Sequence, residues 1–152
     1  MGKIFSTVLA TFIGMSGLVP VAVAGLFSAT GAVIAIVGDD LFVGEAEGHL
    51  NGAGTLAIRS QKIPALTCVG QFTSSAQRGG SGELRCSDGA TATFQFQRLS
   101  VYSGYGVANF SRGSMSFAYG FTPDDAGPYL KLPAGKKLKH TGTSLVLVDL
   151  EK

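Results

Sequence analysis

Three stretches of this chain share one pattern. A large residue stands two positions before a glycine, a polar or glycine-rich loop follows, and a second glycine opens an alternating apolar run. The first is Phe42-Val43-Gly44 with Gly54-Thr55-Leu56-Ala57-Ile58. The second is Cys68-Val69-Gly70 with Gly82-Glu83-Leu84-Arg85-Cys86, and the third is Tyr102-Ser103-Gly104 with Gly113-Ser114-Met115-Ser116-Phe117. Alternation of this kind is the mark of strands with one buried face. It predicts antiparallel hairpins over residues 42–58, 68–86 and 102–117. Pairing Phe42 with Ile58, Cys68 with Cys86 and Tyr102 with Phe117 sets Gly44, Gly70 and Gly104 opposite Leu56, Leu84 and Met115. A glycine there leaves room for the bulky neighbour and lets the strand coil. The expected fold class is all-β, an antiparallel meander forming a single sheet or an open barrel. The 22 glycines in 152 residues, about twice the usual share, fit that expectation.

The same residues resemble MORN repeats, whose signature is Y-x-G-x-F followed by G-x-G-x-Φ-x-Φ. Phe42 to Ala46 with Gly52-Ala53-Gly54-Thr55-Leu56 is similar to one copy. Cys68 to Phe72 with Gly80-Ser81-Gly82-Glu83-Leu84 is similar to a second, and Tyr102 to Gly106 with Gly113 to Met115 to a third. The likeness spans about residues 40–120. It implies a scaffold of successive hairpins used for protein and lipid contacts, and it implies no catalytic residues.

The N-terminus carries a different signal. Lys3 is the only charge before Asp39, residues 4–19 are apolar with small polar interruptions, and Pro20 precedes Ala22-Val23-Ala24. A positive start, an apolar run and a small-x-small site make a secretory signal. Cleavage is expected after Ala24, leaving 25–152 as one domain, either periplasmic or extracellular. The competing reading is an uncleaved anchor, since residues 4–37 hold no charge and are long enough to span a bilayer. Against it, Pro20, Gly25 and Gly31 interrupt the run. Residues 32–37 are also rich in β-branched side chains, which suits a buried strand. An even pair of cysteines in an exported chain predicts a disulfide between Cys68 and Cys86. The chain-entropy model gives such a bridge about 3 kcal/mol.

Elsewhere, Ala92, Phe94 and Phe96 alternate with Thr93, Gln95 and Gln97, a half-buried strand. Met115, Phe117, Tyr119 and Phe121 share one face, and these aromatics read as core rather than as a ligand platform. Thr122-Pro123-Asp124-Asp125 has the residues of a helix start, so one helical turn is expected near 123–127. Residues 143–150 read as a last strand, apolar on both sides.

Catalytic chemistry is hard to find. His49 and His140 lack partners at metal-ligand spacing, so no metal and no cofactor is expected. Asp39, Asp40, Glu45 and Glu47 are the one acidic group that a hydrolase would use, but a solvated strand face and a turn account for them better. A net charge of +2 gives no electrostatic footprint for nucleic acid. The leading expectation is a non-enzymatic envelope protein that contacts another envelope protein or a surface. The alternative is a lipid or anionic-surface binder using Lys131, Lys136, Lys137 and Lys139 beside His140.

Overall fold

The computed structural model describes residues 28–75, 77–111 and 113–151. The expected signal segment 1–24 lies outside them. Eight strands follow in order: β1 (Ser28–Val37), β2 (Asp40–His49), β3 (Ala53–Ser60), β4 (Thr67–Ser75), β5 (Gly79–Cys86), β6 (Thr91–Arg98), β7 (Gly104–Phe110) and β8 (Gly113–Tyr119). Each pairs antiparallel with the next. β8 also pairs with β1, from Val33 opposite Tyr119 to Val37 opposite Met115, so the meander closes into a barrel. Closure removes the edges that an open sheet would expose. A short helix, α1 (Pro123–Ala126), and a 3-10 turn (Gly127–Tyr129) lead to an outer hairpin of β9 (Lys136–Thr141) and β10 (Ser144–Asp149).

The middle hairpin pairs as the residues predict: Cys68 opposite Cys86, Gly70 opposite Leu84, Phe72 opposite Gly82. The other two hairpins are displaced from expectation. In the first, Gly44 faces Ile58, Phe42 faces Ser60 and Leu56 faces Ala46. The turn explains the shift. Gly52 adopts φ +84° and donates its N–H to His49 O at 3.0 Å, which centres the loop one residue later. In the third, Gly104 faces Tyr119, Gly106 faces Phe117 and Met115 faces Ala108. Tyr102 lies in the preceding loop. Gly113, at φ +123°, leads the chain out of the β7–β8 turn, with open space where a Cβ would sit. Both displacements are even numbers of residues. An even slip keeps every paired side chain on its own face, so the inward set is unchanged except for Tyr102, which leaves the strand and is exposed.

Inward positions alternate between bulky and bare. Gly70 lies between Leu56 and Leu84, Gly82 between Phe72 and Phe94, and Gly106 between Phe96 and Phe117. A Cβ on Gly82 would overlap the Phe94 ring and Gln71 O, and one on Gly106 would overlap Gln95 O and reach the Phe117 ring. This taper of small against large fills a barrel of modest diameter. Outward positions on β3–β6 are polar apart from Ala57 and Val69: Thr55, Arg59, Gln71, Thr73, Glu83, Arg85, Thr93 and Gln95 are all exposed. That arrangement is the inverse of a bilayer-spanning barrel, whose outer face is apolar. Among the described residues no helix is long and apolar enough to cross a membrane.

β1 is buried on both faces, as its apolar run predicts. Val33 and Ala35 point into the barrel. Ile34 and Ile36 point out and are covered by Leu41, Ala118, Ala126, Leu130 and Leu145. Tyr129 stacks between Tyr105 and Phe121, with ring centroids 4.8 and 5.0 Å away. Thr122 caps α1 by accepting the Asp125 N–H at 3.3 Å. Ser116, buried on the outer face of β8, accepts the Lys131 N–H at 2.8 Å and ties the covering segment down. β10 pairs with β9 alone, so its two-sided apolar pattern reflects packing on the barrel wall and not a place within the barrel sheet.

Candidate functional site

The two ends of the barrel differ. At one end the disulfide joins Cys68 and Cys86 on inward positions, both buried, with Leu66, Phe42, Ile58 and Met115 in the same cluster. The Cys86 N–H bonds away from Cys68, to Ala90 O at 2.8 Å, while Ser87 N–H bonds Thr67 O. The cysteines are therefore a non-hydrogen-bonded pair, the kind that brings side chains close. Loop 61–66 folds under this end. Ser60 is fully buried, donates its Oγ–H to Asp40 Oδ2 at 2.6 Å and accepts the Ile63 N–H at 2.8 Å. Lys62 Nζ pairs with Asp39 Oδ2 at 2.6 Å, which holds the Asp39 carboxyl below the usual range and the Lys62 amine above it. This end is stapled shut.

The other end is open. The β2–β3 turn and the β6–β7 loop, with the start of β1 and the end of β4, surround a cavity of about 640 Å³. Its wall carries Phe72, Phe94, Phe96, Phe117 and Tyr119. The rings meet edge to face: Phe72 and Phe96 at 5.5 Å, Phe94 and Phe117 at 5.6 Å, Phe96 and Tyr119 at 5.9 Å between centroids. Such geometry is the preferred one for aromatic pairs, so the wall is built and does not wait for a ligand to order it. Burial pushes the Tyr119 hydroxyl pKa up, partly opposed by the positive charge of Arg98. At the rim, the Arg98 guanidinium donates to Val101 O at 3.0 Å, Ser100 O at 3.4 Å and Ser75 O at 3.5 Å. Ser100 Oγ accepts the N–H groups of Tyr102 and Ser103, at 3.1 and 3.0 Å. The β6–β7 loop is thereby fixed against the end of β4. Among the described residues no Asp or Glu lines this mouth.

Of the aromatics read from sequence as core, Phe94, Phe96 and Phe117 are buried and also form the cavity wall, and Tyr119 is half-buried beside them, whereas Phe121 lies beyond the end of β8 and packs half-buried in the outer cluster, not on the face of Met115 and Phe117. The residue signal for that second role was the set of glycines facing them. Bare positions between rings leave volume as well as clearance.

The structure splits the four acidic residues into two groups. Asp39 and Asp40 belong to the closed end. Glu45 and Glu47 lie on the outer face of β2, in an open concavity of about 1000 Å³ over β2–β6 that also holds Glu83 and Arg85. Glu45 and Glu47 stand two residues apart on one strand face, about 7 Å, whereas Glu47 and Glu83 share a cross-strand row three strands apart, about 14 Å at the usual strand spacing and beyond the roughly 9.5 Å of glycosidase carboxylates.

The four lysines have different surroundings. Lys136 pairs with Asp149 at 2.7 Å. Lys137 and Lys139 are exposed opposite Val148 and Val146, and Lys131 is exposed before β9. His49 lines the open mouth, whereas His140 is exposed on β9. Among the described residues, no three His, Cys, Asp or Glu side chains are grouped to hold a metal ion. No known family model, curated protein or solved structure matches this chain.

Proposed function

We propose that this is a non-enzymatic exported envelope protein whose barrel binds one small apolar molecule in its open mouth. The observation that carries the reading is the cavity itself: five aromatic side chains around about 640 Å³, with the opposite end closed by a disulfide. Such volumes are typical of small-molecule sites. The disulfide is compatible with an oxidising compartment, in keeping with the export signal read at residues 1–24. The larger concavity on the outer face is open to solvent, so it offers an apolar ligand nothing that water does not.

A neutral fluorescent probe, N-phenyl-1-naphthylamine, tests the reading. It should bind saturably with one site per chain. Ala46 lines the mouth at a half-buried inward position, so Ala46→Phe should fill the cavity and abolish the signal while circular dichroism stays unchanged. Absence of saturable binding, or binding that a folded Ala46→Phe retains, would overturn it.

A further inference from the structure

The large apolar side chains left in water are unevenly placed. Among the described residues eight are exposed, and four of them sit on two loops at the open mouth: Leu50 at 80%, Leu99 at 52%, Val101 at 68% and Tyr102 at 68%. Leu50 is on the β2–β3 turn and the others are on the β6–β7 loop. Leu50, Val101 and Tyr102 also line the cavity entrance. Isolated exposed apolar residues need no explanation, but a cluster on one end of a molecule does.

These loops are held in place. Arg98 and the Ser100 turn fix the β6–β7 loop, with the Leu99 N–H bonded to Ser103 O at 2.9 Å. In the β2–β3 turn, Gly52 O accepts the Ser74 N–H at 2.6 Å. The apolar side chains are therefore presented outward by loops in which the Leu99, Tyr102 and Ser103 N–H groups and the Val101 and Gly52 carbonyls are bonded within the protein. Each such bond lowers the cost of bringing a loop toward an apolar medium, where an unsatisfied backbone group is costly. The cations fit the same picture. Arg98 stands at the rim against carbonyl oxygens only, and exposed Arg78 projects from the β4–β5 turn at the same end. With no carboxylate lining the mouth, the rim is cationic around apolar tips, and Tyr102 adds the amphipathic ring that favours a lipid interface.

We propose that the open end of the barrel docks on an anionic phospholipid surface, with Leu50, Leu99, Val101 and Tyr102 entering the headgroup region and Arg78 and Arg98 facing the lipid phosphates. Loop tips that project as separate points suit a fluid bilayer, which conforms to them. A protein partner would have to present a matching pocket for each. In that orientation the cavity entrance opens directly into the bilayer interface.

Co-sedimentation tests it. The protein, purified with its disulfide intact, is mixed with phosphatidylcholine vesicles with and without phosphatidylglycerol. The expected result is partition onto the anionic vesicles that weakens with salt. The double substitution Leu50→Ser, Val101→Ser alters only exposed side chains and should lower partition about tenfold or more. Arg78→Gln should reduce its salt dependence. Lys137→Gln with Lys139→Gln on the β9–β10 hairpin should leave partition unchanged, and so should the cavity-filling Ala46→Phe, which separates this contact from ligand binding. The proposal is overturned by a wild-type protein that ignores both vesicle types, in which case the loops face a protein. It is equally overturned by loop variants that partition normally, or by partition that only the lysine or Ala46→Phe changes remove.

Discussion

Gly48 and Gly54 face each other across β2 and β3, yet their surroundings differ. A Cβ built on Gly54 would overlap the Phe72 ring and come against Glu47 O, whereas one on Gly48 would reach only Phe72 Cζ at 3.9 Å, an ordinary contact. Gly54→Ala should therefore cost about 1–3 kcal/mol, the usual penalty of overpacking. Gly48→Ala should be neutral or gain up to about 1 kcal/mol, because it removes freedom from the unfolded chain. Urea unfolding midpoints of the two variants check this. Equal losses would mean that ring-over-glycine packing does not govern this interior. At this scale the sequence was partly legible. Gly44, Gly54, Gly70, Gly82 and Gly104 are all close-packed, as their place before or after an apolar residue suggests. Gly113 has the same local pattern and nothing around it, while Gly80 and Gly106, outside the chosen set, are close-packed too. A glycine needed for clearance and one needed for a turn look alike until the turn is located.

Strand identity is encoded in alternation, but register depends on the turns. Alternation says which face a residue takes and is unchanged by a slip of two. This is why the buried set of β2, β3, β7 and β8 could be read while two of the three pairings were displaced. The middle hairpin was the one with an extra constraint, a pair of cysteines able to bond only in one register. That covalent tie should also dominate the energetics of the closed end. It spans a sequence separation of 18 residues, for which the chain-entropy model gives about 3 kcal/mol. The double variant Cys68→Ala, Cys86→Ala should lose about that much in denaturant unfolding, and wild type under strong reductant should match it. An unfolding midpoint indifferent to reductant would show that the bridge constrains little. The probe should still bind the variant below its transition, because the aromatic wall lies at the other end of the barrel.

Closure of the barrel was beyond the reach of any local pattern, because it joins the first barrel strand to the last. What the sequence did carry was its consequence. Strand β1 is apolar on both faces, with Ile34 and Ile36 buried outside the barrel as firmly as Val33 and Ala35 are inside it, and Ala118 on the outer face of β8 is buried beside them. A wall with two apolar faces needs a second layer, and the segment after β8 supplies it. Leu130 and Leu145 are buried on that wall, Leu132, Leu138 and Leu147 pack at its margin, and Ser116 accepts the Lys131 N–H. The outer hairpin is thus part of the stability of the barrel as well as a surface for lysines. Leu145→Ala should cost about 2–4 kcal/mol, in the range for a buried leucine. Removing residues 133–152 should go further. It would remove Leu138, Leu145 and Leu147 and leave Ile34, Ile36 and Leu41 with only the cover of Ala126, Leu130 and Leu132, and the shortened chain should self-associate in size-exclusion chromatography and unfold at a lower midpoint. The mouth should keep its probe affinity in whatever fraction stays folded, because no residue after Tyr119 lines it. A monomeric shortened chain with an unaltered unfolding midpoint would show that the wall of β1 and β8 stands without its cover, and that the two-sided apolar pattern serves something other than this layer.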